Sequence, residues 1–257
     1  MNPNTLAASA ILLSAMPASA GSTIPSLSSP EPVASGESSW SVRTAIYGWG
    51  TALDGNVTLR GRNAPVNVGF GDILKNLDYA VMGAVEVGNG KWSFLADVFC
   101  AQLSTSNAKS GIIFDSQLNQ FIGNFIVAYN VIDTAPTRFD VYAGVRVNSM
   151  DTELNIDFPT IPDFSGSASK TWVDPIIGAR FQQNLSDKFF FRAVGDIGGF
   201  GVASDFTWQA MAALGYRVCD NGSVVLGYRG IGTDYSDGNF GYDVIAHGVL
   251  LGFEYKF

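Results

Sequence analysis

Four groups of residues in this 257-residue sequence have types and spacings that chemistry can use. His247 is the only histidine, and beside a serine nucleophile it would be a general base for lipid hydrolysis. No serine motif of that kind stands out, and His247 shares its alternating face with Val249 and Phe257, so a structural role is expected. Asp234, Asp237, Asn239 and Asp243 offer closely spaced oxygen ligands of the kind calcium takes. Their spacing does not fit an EF-hand loop, and a solvated turn is expected. Gly195, Gly198, Gly199 and Gly201 form a glycine-rich run, but no helix pattern follows it, so a phosphate cradle fails on context. The glycines there suit a sharp turn at a rim, with Asp196 and Asp205 anchoring the loop to arginines. Cys100 and Cys219 read as unpaired small residues on strands, too far apart to bridge and without a second metal ligand nearby. No catalytic residue, metal or cofactor is expected.

What the sequence does supply is ionic. In the strand-like runs after residue 40, one parity collects Arg43, Arg146, Arg180, Arg192, Arg217 and Arg229 against Glu86, Asp97, Asp140, Asp174, Asp196 and Glu254. The other parity collects apolar and aromatic side chains, among them Val81, Val85, Trp92, Phe94, Phe125, Val127, Val141, Val145, Val173, Ile177, Leu214, Val224 and Leu226. Successive side chains of a strand point to opposite faces, so one surface is apolar and the other carries matched charges.

Composition says which solvent meets the apolar face. The chain is 47% hydrophobic and 12% aromatic but only 15% charged, with 29 glycines. That charged share is well below the quarter or so usual for soluble domains. No run of about 18 apolar residues follows the N-terminal stretch, which excludes a helical membrane protein. The net charge of −8 and pI near 4.5 argue against nucleic-acid binding, which needs a basic patch. Low charge, many aromatics and alternation in place of long apolar runs suggest a transmembrane barrel.

The last stretch is the most telling. Counting back in twos from the terminus gives Phe257, Tyr255, Phe253, Leu251, Val249, His247 and Ile245, while small or charged residues lie between them. This ending resembles the C-terminal signal of bacterial outer-membrane β-barrels, the small porin-like and OmpA-like proteins, with Gly252, Phe253, Tyr255 and Phe257 carrying the match. Leu250 departs from that pattern, where a polar residue is usual. The resemblance covers the chain from about Trp40 onward. It implies a closing strand read by the barrel-assembly machinery, and contact with outer-membrane lipid and lipopolysaccharide.

Residues 1–20 have the apolar stretch and Ala18-Ser-Ala20 ending of a secretory signal, without the usual preceding Lys or Arg. Residues 21–39, rich in Ser, Pro and Gly, read as a flexible periplasmic lead-in, and 40–257 as the barrel. Strand-like runs cover about 40–53, 78–87, 91–104, 111–132, 137–156, 170–183, 188–198, 205–219, 223–234 and 242–257. Connections at 88–91, 134–137, 184–187 and 220–222 are tight, and those at 104–110, 157–170, 198–204 and 233–241 are longer. Barrels of this class have short periplasmic turns and long extracellular loops. The first strand then ascends, and 55–70 forms a small external hairpin before a short helix at 71–77, with Asp72 as its N-cap and Leu74 and Leu77 buried. The expectation is an all-β, antiparallel, up-and-down transmembrane barrel of about ten strands, with eight or twelve still open.

Matched luminal charges close a narrow barrel, whereas a selective pore carries an excess of one sign. The sequence therefore predicts a non-enzymatic outer-membrane protein, structural or passing small solutes through a narrow path. Surface adhesion through the excursions 54–77 and 157–170 is the alternative, and a lipid hydrolase using His247 a third. The sequence sets no oligomeric state.

Overall fold

The computed structural model describes residues 40–59, 61–109, 112–157 and 164–257. The expected signal 1–20, the lead-in 21–39 and the middle of the 157–170 connection lie outside the described residues. The chain forms β1 (Ser41–Leu59), β2 (Arg62–Val68), α1 (Phe70–Lys75), β3 (Leu77–Gly88), β4 (Trp92–Lys109) and β5 (Ile112–Asp133). These are followed by β6 (Thr137–Asp157), β7 (Phe164–Asn184), β8 (Phe189–Gly199), β9 (Ser204–Arg217), β10 (Gly222–Asp237) and β11 (Phe240–Lys256).

From β3 onward each strand pairs antiparallel with the next, and β11 returns to β1 with a register running from Arg43–Lys256 to Thr58–Gly241. Because β2 bonds to β1 alone, ten of the eleven strands close the ring. Closure is what removes exposed sheet edges, whose unpaired N–H and C=O groups would otherwise seek partners.

Alternation gives the ring two unlike faces. On β7, Ile177 is 52% exposed on the outside while its neighbour Ile176 is 1% exposed within. The same contrast separates outward Leu251 from inward Leu250, and outward Phe94 from inward Ser93. At the tight end, Asn89 Oδ1 accepts from the backbone N–H of Lys91 (3.2 Å) and Trp92 (2.8 Å), and Gly90 takes φ 84°. That is an Asx-type turn, the reason Asn and Gly stand there.

Several expectations need correcting. The longer connections at one end are mostly ribbons. Pairing continues to Lys109–Ile112 between β4 and β5 and to Asp237–Phe240 between β10 and β11, and β7 already begins at Phe164. Polar Ser, Thr and Asn residues stay extended there because a register set by apolar rungs below keeps presenting backbone partners above. β1 runs on to Leu59, and its outer part pairs with β2 as the expected hairpin. Asp72 is not the N-cap of α1. Gly69 takes that position, and Asp72 instead accepts from Lys75 Nζ at 3.3 Å. Leu74 is 56% exposed, not buried. Cys219 lies in the turn after β9 rather than on a strand, and both cysteines are free.

The β1–β11 closure leaves no room at Gly248, where an added Cβ would stand 1.8 Å from the Gly50 carbonyl oxygen. Gly48, two residues along β1, has nothing within 4 Å of such an atom. Gly248→Val should therefore cost about 1–3 kcal/mol or more by overpacking, seen as a lower urea midpoint and loss of the heat-resistant folded band on gels. Gly48→Val should leave both unchanged.

Candidate functional site

The inward faces bring five of the six expected arginines and five of the six expected carboxylates together in the lumen. They form two belts. In the first, Arg180 on β7 donates to Glu86 on β3 (2.5 Å) and to Asp140 on β6 (2.7 Å). Arg43 on β1 reaches the other Glu86 oxygen at 3.4 Å, and Asn130 Nδ2 donates to Asp140 at 2.7 Å. Arg192 pairs with Glu254 beside this belt, and Gln182 Oε1 accepts from its guanidinium.

The second belt lies nearer the ribbon end. Arg229 on β10 reaches across to Asp97 on β4 at 2.7 Å, with Gln209 Oε1 at 2.6 Å and the Tyr47 hydroxyl at 3.2 Å. Tyr47 itself donates to Asp97. Asn124 Nδ2 also donates to Asp97 (3.2 Å), while its Oδ1 accepts from Arg146 (2.8 Å). Arg146 ends on Asp196 at 2.7 Å and on Thr207 Oγ1 at 2.9 Å, and Tyr142 donates to the other Asp196 oxygen at 2.9 Å. The Arg146 and Asp196 side chains are 0% and 1% exposed. A guanidinium so placed is tolerable only because each of its three nitrogens donates to an acceptor.

A cavity of about 150 Å³ lies between the belts, walled by Leu95, Ile126, Ile176, Val194 and Val225. Beyond the second belt the lumen is filled by Trp49, Phe99, Ile122, Ile231 and Leu250, and then by Trp172 stacked on Tyr235 at 4.3 Å.

Two expected members of the network are elsewhere. Arg217, the last residue of β9, turns to the adjacent short connection and donates to the Asp187 carbonyl (3.0 Å) and Asn184 Oδ1 (2.5 Å). Asp174 accepts from the backbone N–H and hydroxyl of Ser204, both at 2.7 Å. It, rather than exposed Asp205, anchors the β8–β9 turn, where Gly199, Phe200 and Gly201 all have positive φ. Asp196 serves the network through Arg146, as given above. Members the sequence reading did not include are the neutral Tyr47, Asn124, Asn130, Tyr142 and Gln209 and one further charge, Arg138, which contacts Asp140 at 3.1 Å. Their parity was readable in the sequence: Tyr47 is in step with Arg43, and Tyr142 with Asp140 and Arg146.

The remaining chemical candidates are placed as follows. His247 faces outward, with Nδ1 2.5 Å from the Tyr228 hydroxyl and Nε2 2.8 Å from Asp54. Both ring nitrogens are therefore engaged. Asp234 and Asp243 are paired across β10 and β11, and Asp237 accepts from Lys170 at 2.6 Å. Burial and the nearby Asp243 and Asp205 carboxylates raise the Asp234 pKa, while the bond to Asp237 raises that of Lys170. Among the described residues, no group of three or more His, Cys, Asp or Glu side chains gathers around a metal-sized site. In the closing strand, Phe253, Tyr255 and Phe257 face outward, and Gly252 faces Tyr47, whose Cβ would stand 2.9 Å from a Cβ added there. Leu250 packs with Trp49 in the lumen.

This architecture is that of known proteins. The chain superposes on the outer membrane protease OmpT of Escherichia coli with a TM-score of 0.52 and 11% identity, covering 86% of this chain and 98% of that one. It also matches the translocator domain of the autotransporter NalP of Neisseria meningitidis (TM-score 0.42, 13% identity, covering 84% and 88%). A third match is the attachment invasion locus protein Ail of Yersinia pestis (TM-score 0.34, 13% identity, covering 85% and 98%). No protein-family model and no curated protein sequence matches the chain. The match to OmpT shows a shared fold, the closed antiparallel β-barrel of an outer-membrane protein, and such a fold does not by itself fix a function.

Removing one partner of a buried ion pair strands the other charge. Arg146→Met is expected to destabilise the folded barrel by about 3–5 kcal/mol, measured by urea unfolding. The double variant Arg146→Met with Asp196→Leu should recover much of that loss. Arg217→Gln, at the barrel end, should stay within about 0.5 kcal/mol of the parent.

Proposed function

We propose that the chain is a non-enzymatic barrel of the bacterial outer membrane whose lumen is sealed along its axis. Its exposed outer face, including Val81, Phe94, Ile177, Leu226 and Leu251, suits a hydrocarbon surround. A charge placed on that face at mid-depth would cost about 2–4 kcal/mol, and the arginines of the network avoid it. Residues 1–20 would direct export, the closing strand would engage the assembly machinery, and lipid and lipopolysaccharide would surround the wall.

The observation that carries the sealed lumen is the second belt. Its side chains come from strands all round the ring, and Arg229 to Asp97 crosses the interior from β10 to β4. Arg146 continues the belt from β6 to β8 and β9 with no exposed side-chain surface. Opening a path requires breaking several charge-assisted bonds at once, with no excess of one sign to reward an ion for doing so. His247 meets Tyr228 and Asp54 and, among the described residues, no serine or cysteine side chain, so the serine nucleophile of a hydrolase is not beside it.

A second reading, recognition at the surface, is favoured by the ribbons. Lys170 bonds Asp237, and the Gly61 N–H donates to the Asn239 carbonyl at 3.1 Å, so neighbouring ribbons brace one another into a fixed surface. Cells displaying a chain with these ribbons shortened should then lose any surface binding shown by the parent, and unchanged binding would count against recognition.

In planar bilayers the parent protein should show no large, steady conductance steps. Replacing Arg229 and Asp97 together with alanine should not by itself introduce them, because the Trp49 and Phe99 packing lies in series with the belt. Steady, high-conductance openings of the parent would contradict the sealed lumen.

A further inference from the structure

The barrel wall is not uniform. β1 pairs with β3 only from Ser41–Gly88 to Ile46–Gly83, and with β2 only from Leu53 upward. Residues 47–52 keep their partners on β11, and 77–82 keep theirs on β4 apart from a register irregularity at Leu77–Tyr79, but the two segments do not pair with each other. Six residues at about 3.3 Å each make an unzipped seam roughly 20 Å long. The backbone N–H of Trp49 donates across it to the Met82 sulfur at 3.1 Å in place of a carbonyl. Sulfur is a weak acceptor.

What fills the seam is α1. Its Phe70 ring lies against Gly50, where an added Cβ would stand 3.1 Å from it. The helix has six residues, none of them buried, and no side-chain N-cap. Phe70 and Leu74 are 48% and 56% exposed. Behind the helix is a cavity of about 50 Å³, lined by Trp49, Leu53, Met82, Phe99, Ala101 and Leu103 among others. Ala80 lies on the inward parity of β3 and lines this cavity, yet it is exposed. Trp49 is 4% exposed and its indole N–H has no hydrogen-bond partner. A buried donor left unmet forfeits the hydrogen bond it made to water in the unfolded chain.

The seam's height fixes what it opens onto. Gly48, Gly50 and Ala52 stand opposite Leu251, Val249 and His247. Leu251 and Val249 are exposed on the outer face, and Asp54 with His247 marks where polar groups begin. On the membrane placement proposed above, the seam faces the outer leaflet.

We propose that this seam is a lateral port through which a linear single-chain amphiphile with an oxygen acceptor, of the fatty-alcohol class, enters the cavity beneath α1. The chain lies among the apolar lining residues as α1 moves aside, and the oxygen accepts from Trp49 Nε1. Axial sealing and lateral entry are compatible, because the second belt, with Arg229 beside the Trp49 ring at 5.2 Å, floors the cavity.

The test uses the full chain in phosphatidylcholine vesicles titrated with 2-bromoundecan-1-ol, whose bromine sits on the carbon next to the hydroxyl-bearing one and quenches tryptophan on contact. The emission of Trp49 is the parent spectrum minus that of Trp49→Phe, and the emission of lipid-facing Trp92 is obtained likewise from Trp92→Phe. Trp49 should be quenched saturably at low probe content. Ala80→Phe, which fills the cavity, should weaken that quenching at least fivefold while the heat-resistant folded band persists, and Phe70→Ala should lower the half-saturating probe content. Should Trp49→Phe not fold, the parent is compared directly with Ala80→Phe. Trp92 should be quenched in simple proportion to probe content. If Trp92 is quenched but Trp49 is untouched, or is quenched equally in Ala80→Phe, the port is overturned and the membrane placement stands. If Trp92 is not quenched, the placement itself fails and the port with it.

Discussion

A charge can be kept out of water only where an opposite charge and hydrogen-bond partners meet it, and this structure is arranged around that constraint. Arg146 and Asp196 are the extreme case, with almost no exposed side-chain surface. Their burial demands that β6, β8 and β9 hold one register, since a slip of one residue would turn every side chain to the opposite face. The same demand recurs at Arg180 with Glu86 and Asp140, and at Arg229 with Asp97. Between them these pairs tie β3, β4, β6, β7 and β10, so the ionic network and ring closure depend on one another.

The network also separates two properties that a barrel can combine. Bonds that specify the register obstruct the axis, and the aromatic and aliphatic packing above the second belt obstructs it further. Between two stretches of wall that are themselves paired, ladder bonding lapses at the β1–β3 seam, which lies in the wall rather than in the lumen. Regular β-structure in hydrocarbon requires every backbone group to be met within the protein. On the proposed membrane placement, an unzipped stretch covered only by a six-residue helix is a departure from that rule, and departures of this kind mark sites of function or strain.

Much of this was legible in the residues because strand period is so simple. Parity alone put Ile177 outside and Arg146 inside, and the contrast of tight and long connections gave a ring of ten strands. What parity does not encode is reach. Arg217 and Asp174 have the inward parity, yet one serves a turn and the other caps Ser204, because each lies near a strand end where a closer acceptor or donor competes. Neutral polar residues such as Tyr47, Asn124 and Gln209 became visible as network members only once the strands had been brought around the ring. The ribbons were hidden by their Ser- and Asn-rich composition, which resembles loop. The seam was hidden for the opposite reason: residues 47–52 and 77–82 alternate like any strand, and nothing in either segment reports that they fail to pair.

The central claim is sidedness, and the closing strand tests it most directly. With Cys100 and Cys219 replaced by serine, single spin-labelled cysteines at the non-glycine positions from 245 to 255 in lipid vesicles would be read for collisions with oxygen, which concentrates in hydrocarbon. Sidedness predicts a period of two, with high oxygen accessibility at Val249, Leu251 and Phe253 and low values at Ala246, Leu250 and Glu254. A flat profile, or maxima at the even positions, would contradict it.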